Sequence, residues 1–224
     1  MSTASYVFLA GASRGVGREI AKCLIAQGKK VKALLRSDAA RDELELMGVY
    51  TVMGDALNPA DLERAMLGAE PIEAVISTIG GKPVDGERAD FAGNRNLIDV
   101  AVQAGVKQFI LVTSIGSGES VVALPAGVLE ALGPVLAEKE QAENHLIASG
   151  LPYTIVRPGG LKSEPPRGEA VLTEDAKIAG SIHRADVADL VCQCLKSDRA
   201  KGKILSAVDR TMLYGQASFE TFIP

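Results

Sequence analysis

The sequence predicts an α/β protein with a doubly wound, mainly parallel sheet and helices on both faces, in a single domain spanning residues 1–224. Three observations predict it. Apolar, β-rich runs alternate with helical patterns almost from end to end. Most of these runs lack the polar alternation of a half-exposed strand, so both of their faces are buried. Glycines recur where helices would end.

Strands are expected at 6–10 (YVFLA), 30–35, 50–53, 73–78, 108–113 (QFILVT), 153–157 (YTIVR) and 203–208. Helices are expected near 15–27, 38–47, 59–67, 88–104, 137–149 and 184–196. Gly28, Gly68, Gly105 and Gly150 stand just past four of them, in the place of a left-handed terminator. Asn58-Pro59, followed by Asp61 and Glu63, reads as an N-cap, a first-turn proline and acids that suit the helix dipole. Two stretches rich in Gly, Pro and Ser, 116–136 and 162–180, interrupt the alternation after strands of the second half. Both are expected as loops walling a substrate cleft, because ligands of such sheets bind beyond the strands' carboxyl ends.

Bulk properties narrow the function. Of 224 residues, 47% are apolar and 23% charged, and the mean hydropathy is +0.15, which suits a folded domain with a sizeable core. A net charge of −4 with no basic cluster excludes an electrostatic nucleic-acid binder. Cys23, Cys192 and Cys194 are too few and odd in number for a disulfide framework. No signal-peptide pattern opens the chain, and the most apolar stretch, 121–137, is broken by Pro125, Glu130 and Pro134. A cytoplasmic protein without membrane association, a monomer or weak oligomer, is expected. His145 and His183 are the only histidines, and neither has a ligand-like neighbour in sequence, so no metal site is expected.

The first strand runs into "GASRGVG", residues 11–17, which opens a helix. Glycines there permit a tight turn and a close approach of backbone to phosphate, and the helix N-terminus supplies amide donors. Gly11, Ser13, Arg14, Gly15, Val16 and Gly17 are therefore expected to cradle a dinucleotide, in a GxxxGxG spacing. The second strand ends in Arg36 and Ser37, with no carboxylate to accept ribose hydroxyls. Arg14 and Arg36 together are expected to bind a 2′-phosphate, with Arg41 as a possible substitute for one of them, which makes the expected cofactor NADP(H).

The chain resembles the atypical, NmrA-like NAD(P)H-binding branch of the short-chain dehydrogenase/reductase superfamily, the branch that includes biliverdin IXβ (flavin) reductase. The resemblance rests on "GASRGVG", "LLRS" (34–37), "GDALNPADL" (54–62), "VISTIGG" (75–81), "GNRNLIDVAVQAGVKQFILVTSIG" (93–116), "AENHLIASGLPYTIVRPGGL" (142–161) and "IHRADVADL" (182–190). It implies a Rossmann fold in which Asp55 and Ala56 contact the adenine. Thr78, Ile79 and Gly80 would line the ribose and diphosphate, and Pro158, Gly159 and Gly160 would lie beside the nicotinamide. Ser114 matches the carbonyl-polarising serine of classical relatives, a capping hydroxyl being the other reading, and Thr113 beside it is expected to bind the cofactor. His183, Arg184 and Asp186 match a mainly structural segment.

Two departures stand out. The branch usually spaces its loop glycines GxxGxxG. Classical members also use a Tyr-x-x-x-Lys pair, and here Lys139 fits the lysine while Val135 stands at the tyrosine. A cofactor-bound hydride donor can still reduce an acceptor that delocalises the incoming charge. The expected function is an NADPH-dependent oxidoreductase acting on a planar conjugated substrate, a flavin or a biliverdin-type tetrapyrrole, with Ser114 and Lys139 as candidate catalytic residues. The alternative is a non-catalytic NADP(H)-binding regulator or assembly factor. A nucleotide-sugar epimerase is disfavoured, since no stretch after residue 161 would hold a substrate domain of ~100 residues.

Overall fold

The computed structural model describes residues 5–81, 88–215 and 218–224. Its elements run β1 (Tyr6–Ala10), α1 (Gly15–Ala26), β2 (Val31–Leu35), α2 (Arg41–Leu46), β3 (Tyr50–Met53), α3 (Pro59–Met66), β4 (Ile72–Ser77) and α4 (Ala92–Ala104). They continue with β5 (Gln108–Val112), α5 (Ala126–Ala148), β6 (Tyr153–Pro158), β7 (Gly160–Lys162), β8 (Ala170–Thr173), β9 (Ser181–His183), α6 (Arg184–Lys196) and β10 (Lys203–Asp209). Eight strands form one sheet in the order β3-β2-β1-β4-β5-β6-β10-β8, parallel except for β8. β7 and β9 form a separate parallel pair. The sheet is the doubly wound Rossmann arrangement expected, and its order reverses between β1 and β4.

The continuous apolar strands are explained by burial on both faces. In β1, Val7 and Leu9 enter one core while Phe8 and Ala10 enter the other. In β5, Ile110 and Val112 likewise oppose Phe109 and Leu111. One layer is made by α1 and α6, with Ile20, Leu24, Val187 and Val191. The other is made by α3, α4 and α5, with Leu62, Leu97, Ile98 and Leu146. Phe8 and Phe109 are wholly buried, and truncating either to Ala would cost about 3–5 kcal/mol. Cys192 and Cys194 are buried on α6, where burial pushes both thiols well above their ordinary value, as suits core packing.

Helix ends follow the sequence signals with one exception. Asn58 accepts a hydrogen bond from the Ala60 amide at 3.2 Å, and Pro59 opens α3. Gly28, Gly105 and Gly150 have positive φ, whereas Gly68 does not, and α3 ends at Leu67 without a left-handed glycine.

The 116–136 stretch corrects the reading of it as a loop. Residues Gly118–Ala123 form a 3₁₀ turn, and α5 begins at Ala126 and continues through Pro134. Proline normally marks a helix boundary because it lacks an amide and crowds the preceding turn. Here Leu129, Glu130, Ala131 and Leu132 before it and Leu136 and Ala137 after it favour the helix, which continues despite Gly133 and Pro134. The 162–180 stretch is not all loop: it contains β8, which pairs with β10 as an antiparallel edge. None of the helices among the described residues is long and apolar enough to cross a membrane.

Candidate active site

The carboxyl ends of β1, β2, β4, β5 and β6 open into one cleft of about 1190 Å³. Single-ligand pockets usually measure roughly 300–1,000 Å³, so this one has room for a cofactor and a second molecule. Gly11, Ser13, Arg14, Gly15, Val16 and Gly17 all line it. Each glycine answers a steric demand. A Cβ on Gly17 would collide with the Gly11 carbonyl, and one on Gly11 would collide with the Thr78 hydroxyl. That hydroxyl lies 3.3 Å from the carbonyls of Ala10 and Gly11, which ties the loop to the end of β4. Gly15, at φ +58°, begins α1 and leaves its amide end facing the cleft.

At the end beside β2 and β3, Arg36, Ser37, Asp55 and Ala56 line the cleft. Asp61 accepts from the Asp55 amide at 2.9 Å. That contact and the Arg64 guanidinium hold the Asp61 carboxyl below its ordinary value. Asp55 accepts from the Leu57 amide through Oδ1 at 3.0 Å, so the residue is fixed at both ends while Oδ2 stays free of that bond. Arg14 reaches across the cleft mouth. Its Nη2 lies 4.0 Å from where a Cβ on Gly81 would stand, in the loop beyond β4. Strand β1 lies between that loop and the end of β2, where Arg36 stands, and both arginines line the cleft. Arg41 pairs with Asp38 at 2.8 Å and lies outside the cleft.

At the other end, Thr78, Ile79, Gly80, Thr113, Ser114, Val135, Lys139 and Pro158 line the cleft. Lys139 Nζ lies 2.8 Å from Asp90 Oδ1, and a Cβ on Gly80 would fall 2.8 Å from the same nitrogen. Asp90 Oδ2 accepts from the Gly81 amide at 3.1 Å. Asn94 donates to the Asp90 carbonyl at 2.8 Å and accepts from Ser77 at 2.5 Å. The 79–81 loop is thus held by a buried polar network.

The Ser114 hydroxyl donates to the Ile115 carbonyl at 2.9 Å. Thr113 donates to Glu143 at 2.6 Å, and Glu143 in turn holds Arg157. Val135 faces the ligand space four residues before Lys139, where a hydroxyl would otherwise stand. Gly159 and Gly160 depart from expectation. Gly159 packs on the Gly180 carbonyl, and Gly160 lies against Ser181 and Tyr214. Neither lines the cleft.

Sequence reasoning missed Asp90, Asn94, Arg184 and the segment 163–166. Asp90 and Asn94 had a signal: two polar residues four apart on the apolar face of one helical pattern. Arg184 and residues Ser163–Pro166 line the cleft through a pairing that no local pattern reveals. Beside Arg184, His183 is buried with Nδ1 3.3 Å from Asp186 and 3.8 Å from Asp209. Burial raises the Asp186 carboxyl above its ordinary value, against the attraction of His183. Asp209 is 26 residues from His183, so this partner was invisible in sequence.

Comparison with known proteins agrees with this geometry. The pattern of the NAD(P)H-binding family matches residues 11–198. ChuY, an anaerobilin reductase from Escherichia coli O157:H7, superposes with a TM-score of 0.84 at 31% identity, over 95% of this chain and 100% of that one. Sanguinarine reductase from Eschscholzia californica is 30% identical over 95% of this chain and 92% of its own length. Protein TIC 62, chloroplastic, from Oryza sativa subsp. japonica is 33% identical over 92% of this chain, which spans only 46% of that protein. The glycine loop and the α1 N-terminus at the cleft fit the NAD(P)H that this family binds, and the end of β2 carries no acid. The chain belongs to the NAD(P)H-binding family, in the atypical, NmrA-like branch of the short-chain dehydrogenase/reductase superfamily.

Proposed function

We propose that this protein is an NADPH-dependent reductase of a planar conjugated acceptor, of the flavin or linear-tetrapyrrole class. The observation that carries the reading is Val135, which faces the cleft at the position of the classical proton donor. The reductase relatives, ChuY and sanguinarine reductase, support the reaction class.

Bound NADPH supplies a hydride at its nicotinamide. The chain's own groups position the reactants. The α1 amides and glycine loop hold the diphosphate, Arg36 takes the 2′-phosphate, and Asp55 accepts from the adenine amine. Lys139, fixed by Asp90 over Gly80, orients the nearby ribose. Among the described residues, neither classical donor position offers an acid: Val135 has no hydroxyl, and that of Ser114 is spent on a carbonyl. An acceptor that spreads the incoming negative charge needs none, because solvent can protonate it afterwards. A simple ketone needs its oxygen protonated as the charge forms, and this cleft offers it little.

Steady-state NADPH oxidation with FMN, FAD, biliverdin isomers and a quinone, with NADH in parallel, tests the proposal. Saturable turnover with NADPH and one planar acceptor is expected. In that assay Ser114→Ala is expected to lower kcat far less than the ~10²-fold that loss of a working general acid costs.

The same valine favours one second reading, a non-catalytic NADP(H)-binding regulator or assembly factor, which similarity to TIC 62 supports. Tight NADPH binding with no turnover on any acceptor would select it. In either case the reading keeps the protein in a reducing compartment, the cytoplasm, where three free cysteines are stable.

A further inference from the structure

Arg184 is the first residue of α6, yet its side chain belongs to the cofactor cleft. Its Nε lies 3.7 Å from where a Cβ on Gly15 would stand, so the guanidinium sits beside the first residue of α1. Its Nη1 donates to Ser163 Oγ at 2.7 Å. Arg18, Arg41, Arg64, Arg88 and Arg157 all pair with carboxylates, but among the described residues Arg184 has no such partner. A guanidinium carries five donors, so the bond to Ser163 leaves a fork still to be filled.

The placement follows from strand pairing. β7 and β9 run parallel with Lys162 opposite His183, so the next residues along, Ser163 and Arg184, come together at the mouth of the cleft. Below them His183 is buried against Asp186 and Asp209, which fixes the head of α6. Ser163 in turn begins the segment Ser163–Pro166, which lines the cleft and carries two consecutive prolines.

We propose that Arg184 is a positioning residue that grips the cofactor diphosphate from the α6 side while holding segment 163–166 against the acceptor space. A planar cation at a helix N-terminus meets a phosphate by charge-assisted, bidentate hydrogen bonds. The same guanidinium keeps its bond to Ser163, so cofactor binding and the shape of the acceptor wall are coupled. The inference rests on NADP(H) binding in this cleft, and it differs from the role of Arg36, which reads the 2′-phosphate.

The test is binding, measured by NAD(P)H fluorescence, with adenosine 2′-monophosphate as a competitor that carries the 2′-phosphate but no diphosphate. Arg184→Ala is expected to weaken NADPH and NADH by the same factor, about 10- to 100-fold, and to leave adenosine 2′-monophosphate unchanged. Arg184→Lys should recover part of the loss, and Arg184→Gln provides a neutral variant of similar length if the alanine chain folds poorly. Trypsin reads the coupling, because Lys162 and Arg167 flank the segment and both are exposed. At NADPH concentrations that saturate each protein, cleavage there should slow in the wild type and not in Ser163→Ala, and equal protection of both would overturn the coupling. Wild-type affinity in both Arg184→Ala and Arg184→Gln, a loss confined to NADPH, or a matching loss for adenosine 2′-monophosphate would each overturn the proposal. A wild-type protein that binds neither dinucleotide would instead remove the reading beneath it.

Discussion

The ammonium of Lys139 and the carboxylate of Asp90 lie 2.8 Å apart at the floor of the cleft, and Asp90 is wholly buried. Asp90 also takes the Gly81 amide, so one carboxylate fixes both the cation and the loop beside it. Asp90→Ala leaves Lys139 without its partner and is expected to cost toward the lower end of about 3–5 kcal/mol, with a parallel loss of NADPH affinity. Urea unfolding and a binding titration on the same preparation check both. A variant with normal stability and normal affinity would show that the pair holds nothing.

Arg36 stands at the end of β2, where an acid would select NAD(H). Arg36→Asp is expected to weaken NADPH binding by about 10- to 100-fold and NADH binding by less than about threefold. Equal losses for the two cofactors would remove Arg36 from 2′-phosphate recognition. Because Arg14 is turned toward Gly81, Arg14→Ala should discriminate between the two less sharply.

Glu143 on α5 holds Arg157 on β6 through two hydrogen bonds, 3.1 and 2.6 Å, and also takes the Thr113 hydroxyl. Both charged residues are almost fully buried, so removing one strands the other. Arg157→Ala is expected to destabilise the fold by about 3–5 kcal/mol, and replacing both by Met should cost less than either single truncation. A double-mutant cycle in denaturant measures this. Additive losses would mean that the two residues act independently.

The Asp186 carboxyl, raised above its ordinary value by burial, binds its proton more tightly in the folded than in the unfolded chain. Its contribution therefore favours folding at acid pH and is lost as pH rises from the unfolded value through the folded one. Asp186→Asn removes this dependence, so the stability of the variant relative to the wild type should improve between about pH 4 and pH 7. Thermal unfolding at both pH values decides it. A variant that loses ground over that interval would show that the pairing of Asp186 with His183 outweighs its desolvation.

What the sequence by itself determined is whatever is local or periodic. The doubly wound sheet was legible because strands such as YVFLA and QFILV are apolar on both faces, which only a covered parallel sheet requires. The glycine loop was legible because a strand, glycines and a helix start follow one another directly, and α6 was readable over its full length. α5 was not. Pro134 is a strong local boundary signal, and the helix formers around it override it, so an expected cleft loop is a helix from Ala126. The same locality limited the site. Arg14 and Arg36 could be named from sequence, but the reach of Arg14 toward Gly81 beyond β4 could not. Gly159 and Gly160 follow a cleft-lining proline yet turn toward Gly180 and Ser181, contacts set some twenty residues downstream. The Lys139–Asp90 pair, the meeting of His183 with Asp209 and the meeting of Ser163 with Arg184 are non-local. Only strand order and register bring those residues within hydrogen-bonding or ion-pairing reach, and in one chain read alone no spacing encodes that proximity.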